Sequence, residues 1–136
     1  MIILDTSFIV SYYNIRDENH EKAVELMRDI TNRKYGNLYI TDYIFDESVT
    51  VILIRLKSLF KTTIIGELIR KSTEMLEIER DSFEEAWKLF KRQKKTAFSF
   101  TDCTTLNTME IKNVKNIATF DEDFKKIKGI NVIGIE

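Results

Sequence analysis

Short apolar runs that end on polar or acidic residues alternate in this chain with longer stretches whose apolar positions recur every three or four residues. Ile2 to Leu4 is the first such run, a buried-strand pattern that stops on Asp5, and Ser7 stands where it can cap a helix carrying Phe8, Ile9 and Tyr12. From Asp17 to about Lys34, Ala23, Val24, Met27 and Ile30 mark one apolar helix face with charge opposite, and Gly36 can end that helix. Leu38 to Thr41 reads as a second strand. Between Tyr43 and Phe60 the residues Phe45, Val49, Ile52, Leu53, Leu56 and Phe60 keep a helical period while Val51 and Ile54 fill another side, which predicts a central helix. Glu47 shares the face of Val51 and Ile54.

The second half continues the alternation. Thr62 or Thr63 starts a helix with Ile64, Ile65, Leu68 and Ile69, and Met75 to Ile78 follows as a strand. Ser82 with Glu85 has the spacing of a capping box ahead of Phe83, Ala86, Trp87 and Phe90, predicting a helix to Gln93 with its aromatics on a buried face. Ser99 or Thr101 caps a further helix to about Lys112, placing Asp102 in its first turn, where the helix dipole favours an ionised carboxylate. A strand Asn116 to Thr119, a short helix with Phe124 and Ile127, and a strand Asn131 to Ile135 complete the order. Strands separated by helical segments require crossovers, so the fold class is α/β, a three-layer α/β/α sandwich with a mostly parallel central sheet.

Composition narrows the class. The 136 residues fit one domain spanning residues 1–136, a length at which roughly two-thirds of the unfolded surface can be buried. With 43% hydrophobic and 32% charged residues the chain is expected to be globular and not disordered. A formal net charge of -1 provides no general positive field, so any nucleic acid would have to be held by local basic patches. The lone Cys103 cannot form an internal disulfide, and no basic segment precedes the first apolar run, so a cytoplasmic setting is expected. The longest apolar stretch, Val49 to Leu56, is interrupted by Thr50 and Arg55, and no membrane span is expected. With only four glycines and no proline, there is no glycine-rich phosphate loop.

Four acids now stand out: Asp5 at the end of the first strand, Glu47 inside an apolar helix, Asp102 opening a late helix, and Asp121 after the strand Asn116 to Thr119. Strands of a parallel sheet align their C-terminal edges, so carboxylates far apart in sequence can converge on one crevice. Together Asp5-Thr6-Ser7, Glu47, Ser99-Phe100-Thr101-Asp102 and Thr119-Phe120-Asp121-Glu122-Asp123-Phe124 resemble the PIN-domain nucleases, especially the small VapC-like toxins of prokaryotic toxin–antitoxin pairs, over essentially the whole chain. The resemblance implies an endoribonuclease that hydrolyses RNA phosphodiester bonds with Mg²⁺ or Mn²⁺. Carried over by position, Asp5, Asp102 and Asp121 are metal ligands, Glu47 binds through water or a second ion, and Asp123 binds metal or only tunes the site. It also implies an antitoxin partner and a homodimer, the latter matched by the apolar surplus at Ile64, Ile65, Leu68 and Ile69. Crowded carboxylates repel one another unless a dication neutralises them, and an oxygen-only donor set suits a hard cation.

Simpler roles compete at each position. Asp5 alone reads as a helix cap, and Ser7 and Thr101 as caps worth about 1 kcal/mol each. As substrate-binding residues, Ser7, Thr101 and Thr119 would donate to a phosphate oxygen or a bound water. Glu47 is the hardest to explain otherwise, because an acid left buried and unpaired costs several kcal/mol, and Arg55 is too far along the helix to pair with it locally. Lys88 to Lys95 reads as a solvated face before it reads as an RNA track. Cys103 reads as a small buried side chain. Ile3-Leu4-Asp5-Thr6 also resembles the opening of phosphatases that form an aspartyl-phosphate, but those need an acid where Ser7 stands. An inactive interaction module is the remaining alternative, against which the four acids speak, as is a related nuclease serving RNA processing.

Overall fold

The computed structural model describes all residues from Met1 to Glu136. Five strands form one sheet in the order β3-β2-β1-β4-β5, every neighbouring pair parallel. They are β1 (Ile2–Leu4), β2 (Leu38–Thr41), β3 (Glu74–Leu76), β4 (Asn116–Ala118) and β5 (Asn131–Ile133). The helices are α1 (Thr6–Tyr13), α2 (His20–Thr31), α3 (Asp42–Leu56), α4 (Leu59–Ser72), α5 (Arg80–Lys91) and α6 (Phe100–Lys112), with a 3-10 turn at Glu122–Lys126. This is the expected α/β sandwich, wholly parallel.

β1 is central because all three of its side chains are apolar and buried, whereas the edge strand β3 is largely exposed. The register pairs Ile3 with Tyr39 on one side and with Ile117 on the other. The chain leaves β1 toward β2 and β3 and returns to the far side for β4 and β5, so the strand order reverses between β1 and β4. Ligands of open α/β sheets bind at such a reversal, beyond the strand ends. The core of Ile2, Ile3, Phe8, Ile40, Ile44, Ile52, Ile117 and Phe124 lies along and beside the sheet and fixes those ends.

Several element boundaries differ from expectation. The helix predicted from Tyr43 to Phe60 stops at Leu56, because Lys57 adopts a left-handed conformation with φ 53°, and Leu59 and Phe60 belong to the next helix. Ser58, not Thr62 or Thr63, caps α4 by accepting from the Lys61 amide at 3.2 Å. Phe60 therefore leaves the α3 face and stands 77% exposed. Helix α5 opens two residues before Ser82, so Ser82 caps nothing there. Trp87 and Phe90, expected in the core, stack on each other around Phe100 and are both exposed at their outer faces. Helix α2 ends at Thr31, before Gly36. β5 ends at Ile133, just before Gly134, whose φ of 123° and a hypothetical Cβ only 2.5 Å from the Thr119 carbonyl leave room for glycine alone.

Candidate functional site

The strand ends deliver the acids. β1 runs directly into Asp5, which occupies the N-cap position of α1 yet makes no capping hydrogen bond with its side chain. The expected cap therefore has a different use. Asp5 is 3% exposed. Its Oδ2 accepts from the Ser7 hydroxyl at 2.8 Å and from the Thr119 hydroxyl at 2.7 Å, while Oδ1 is buried without any partner. Burial pushes its pKa above the ordinary carboxylate value and the Glu47 charge adds to the rise, against the two hydroxyl bonds.

Ser7 and Thr119 tie the turn after β1 to the turn after β4. Ser7 is inside α1, not ahead of it, and its Oγ accepts from the Phe120 amide at 3.0 Å. The Thr119 Oγ1 accepts from the Asp121 amide at 3.0 Å. Thr119 is fully buried, and its hydroxyl meets Asp5. Thr101 lies within α6, where its carbonyl accepts from the hydroxyls of Thr104 and Thr105, and it does not line the cleft described below.

Asp102 is the third residue of α6, held in a reciprocal capping box. Its amide donates to the Ser99 hydroxyl at 3.0 Å and its Oδ2 accepts from the Ser99 amide at 3.0 Å. Ser99 and not Thr101 is therefore the cap. Burial first, then the Asp5 and Glu47 charges, push the Asp102 pKa up to about 7. Glu47 stands on α3 half-buried, with no hydrogen bond or ion pair, and with Val51 and Arg55 it forms one stripe of that helix along the cleft. Ile54, expected on this face, points to solvent at 65% exposure. Asp121 precedes the 3-10 turn, and its Oδ1 accepts from the Asp123 amide at 2.9 Å.

Asp5, Glu47, Asp102 and Asp121 line one cleft of about 480 Å³. Asp17, Asn19, Ser11 and Arg55 line it too, residues that sequence reasoning did not assign to the site. Asp17 accepts from the Ser11 hydroxyl at 2.9 Å and from the Asn19 amide at 2.8 Å, which holds the turn after α1 against the cleft. An acid in a polar turn carries no signal that would have picked it out. Asp123 is elsewhere engaged: its Oδ2 accepts from the Ala97 amide at 2.8 Å and its Oδ1 pairs with the Lys126 ammonium at 2.6 Å. The Lys126 bond holds its pKa below the ordinary value.

No three His, Cys, Asp or Glu side chains stand close enough to form a ready-made metal cage. Mg²⁺ does not need one, since it keeps several waters and binds through one or two carboxylates. The orphaned Asp5 Oδ1, the raised pKa of Asp102 and the lack of any Lys or Arg paired to Asp5, Glu47, Asp102 or Asp121 fit a hard divalent cation. Cys103, buried with its pKa pushed up to about 11 by burial and by Asp102, is no nucleophile. No helix is long and apolar enough to cross a membrane.

Comparison with known proteins agrees with this geometry. A VapC ribonuclease from Archaeoglobus fulgidus is 26% identical over 124 residues, which are 90% of this chain and 78% of that protein. Among solved structures, VapC20 of Mycobacterium tuberculosis, a toxin that cleaves the sarcin-ricin loop, matches 96% of this chain and 97% of its own at 23% identity with a TM-score of 0.84. VapBC2 from Rickettsia felis, bound to a DNA fragment from its promoter, matches 98% of both chains at 17% identity with a TM-score of 0.68. At these identities the structural likeness is one of fold. The model of the PIN domain matches residues 2–130, and the chain belongs to the PIN domain family.

Proposed function

We propose that this chain is an endoribonuclease that hydrolyses RNA phosphodiester bonds with Mg²⁺ or Mn²⁺ bound among Asp5, Glu47, Asp102 and Asp121, as the toxin of a toxin–antitoxin pair. The observation that carries the reading is Asp5, a buried carboxylate with one oxygen orphaned at the floor of a cleft walled by three other acids that have no cationic partner. The 26% identity to a VapC ribonuclease supports the same activity.

The residues divide the work. Asp5 lines the cleft with Oδ1 unpartnered, and the Ser7 and Thr119 hydroxyls fix its carboxylate plane through Oδ2. Asp102 keeps one oxygen for its helix cap and Asp121 keeps one for the Asp123 amide, which leaves each with one oxygen free. Glu47 faces them from α3. A divalent cation bound there supplies neutralising charge and orients water and phosphate for in-line attack on phosphorus. Burial and the Asp5 and Glu47 charges push the Asp102 pKa up to about 7, and positive charge entering the cleft would bring it down. Asp123 braces the 97–126 contact instead of ligating.

Partners follow from the same reading. Likeness to VapC proteins supports an antitoxin that covers the cleft. The half-exposed Ile64 and Leu68, with Leu59 and Phe60, supply an apolar surface on α4 suited to a homodimer, for which light scattering should give twice the 16.1 kDa chain mass. The free buried Cys103 suits a reducing cytoplasm, and the single sheet and core support one nuclease domain. The test of function is direct: purified chain should cut single-stranded RNA only with Mg²⁺ or Mn²⁺ present. Cutting that survives in excess chelator, or equally in Asp5→Asn, would assign the activity to something else.

A further inference from the structure

Beside the acidic cleft lies a second groove of about 520 Å³, lined by Tyr13, Arg16, Arg55, Lys61, Ile64 and Ile65 among others. Arg55 lines both grooves and so stands between them. Arg16, Arg55 and Lys61 are exposed, and none of the three side chains takes part in an ion pair. Their place sets them apart: Arg55 lines the acidic cleft as well and Arg16 and Lys61 share its second groove, whereas Lys34, Arg70, Arg80, Lys88 and Lys126 line neither groove and are each paired with a neighbouring acid.

A strand of RNA entering a cleft walled by Asp5, Asp17, Glu47, Asp102 and Asp121 meets repulsion along its phosphates. On a chain of net charge -1 nothing distant offsets that repulsion. Affinity for such a strand must come from cations next to the cleft and outside it. Arg55 is eight residues after Glu47 on α3, about 12 Å along the axis, too far to neutralise the acid but near enough to hold a phosphate flanking the one in the cleft. Its planar guanidinium suits bidentate phosphate contact, and Tyr13 and Leu56 supply an apolar wall against which a ribose or base can lie.

Building on the nuclease reading, we infer that Arg55, Arg16 and Lys61 form a phosphate track that carries single-stranded RNA into the acidic cleft, with Arg55 the positioning residue at the junction. The Lys88 to Lys95 run is not part of it: none of those residues lines either groove, Lys88 pairs with Glu85 and Lys91 lies over Trp87.

The test is binding of a labelled single-stranded RNA of about a dozen nucleotides by the full chain in an Asp102→Asn background with Mg²⁺, across roughly 50 to 200 mM salt. Adding Arg16→Ala, Arg55→Ala and Lys61→Ala together should weaken binding at least tenfold and flatten the logarithmic salt slope by roughly 2, about 0.7 for each lost phosphate contact on a single strand. Lysine at positions 16 and 55 should restore most of the slope, and melting temperature should not move, because all three side chains are exposed. In the otherwise unmodified chain, Arg55→Ala should raise KM for RNA cleavage more than it lowers kcat. An unchanged affinity and slope in the triple variant, beside a parent that binds and cuts RNA, overturns the track and leaves the nuclease reading standing. A parent that neither binds nor cuts RNA overturns both. If the triple variant loses capture of a polyglutamate peptide yet keeps RNA, the groove is a protein-docking surface and the track is likewise overturned.

Discussion

Two turns that follow parallel strands hold acids of opposite character. After β1, Asp5 is buried, bonded only to hydroxyls through one oxygen, with the other orphaned. After β4, Asp123 lies only a few residues beyond its strand, yet both of its oxygens are satisfied, one by a lysine and one by a backbone amide. The same residue type in the same kind of position is destabilised as an anion in one turn and stabilised in the other. On the proposed function, an acid supplied with its own cation does structural work, while one at the cleft without a cation is left for one from solution, which assigns Asp5 and Asp102 to the proposed site and Asp123 to the scaffold.

The sharpest way to break this contrast is to neutralise one acid from each turn. Asp5→Asn, and Asp102→Asn beside it, should lower RNA cleavage by at least about a hundredfold, the scale of losing one pre-organised charge in a transition state. Asp123→Asn should keep activity within a few-fold of the parent. Equal losses at positions 5 and 123, read by initial rates on a labelled RNA, would erase the distinction.

Metal should separate the turns next. An ion that binds only the folded chain stabilises it by about 2.7 kcal/mol at a hundred times its Kd. Saturating Mn²⁺ should therefore raise the melting temperature of the parent and of Asp123→Asn by several degrees, and leave Asp5→Asn nearly unmoved. Scanning calorimetry with and without chelator reads this directly.

The pH dependence of the metal-free chain has a definite sign. Folding raises the Asp102 pKa from 3.8 to about 7 and raises that of Asp5 as well. Above pH 4 the unfolded chain loses these protons more readily than the folded one, so stability falls as pH climbs from about 4 to 7. Asp123, with its pKa lowered, contributes stability that is present above pH 4 and lost below it. Melting temperature in chelator should thus fall between pH 5 and pH 8, and saturating Mg²⁺ should abolish the decline. A flat metal-free profile would contradict the buried-acid description.

The smallest expected effect is structural. Asp123→Asn removes a charge-assisted bond at a half-buried position and should cost about 1 kcal/mol in urea unfolding. Its acid limb should also be shallower than the parent's.

Much of this was legible in the chain itself, for identifiable reasons. Runs such as Ile2-Ile3-Leu4 and Asn116-Ile117-Ala118 announce strands because a strand in the middle of a parallel sheet must be apolar on both faces. The amphipathic helix α2 follows from its spacing, and α6 from its polar start. The position of the break between α3 and α4 was not legible: expected between Phe60 and Thr62, it lies at Lys57 and Ser58, because Lys57 takes a left-handed conformation without glycine or asparagine to signal it. Trp87 and Phe90 misled for the opposite reason, since helical spacing places them on one face but says nothing of what covers it. Asp17 and Arg55 reached the cleft wall unannounced, because a polar turn and a charged helix end look alike wherever they land.

The chain by itself determined the alternation of strands and helices, the acids at their ends and the family they resemble, because those depend on periodicity and on local order. Tertiary structure decided which acid is buried and which distant donors reach it. Lys126 is only three residues from Asp123 and Ser7 two from Asp5, but the Ala97 amide on Asp123 and the Thr119 hydroxyl on Asp5 come from 26 and 114 residues away. No local pattern encodes those distant contacts or the burial that leaves Asp5 3% exposed.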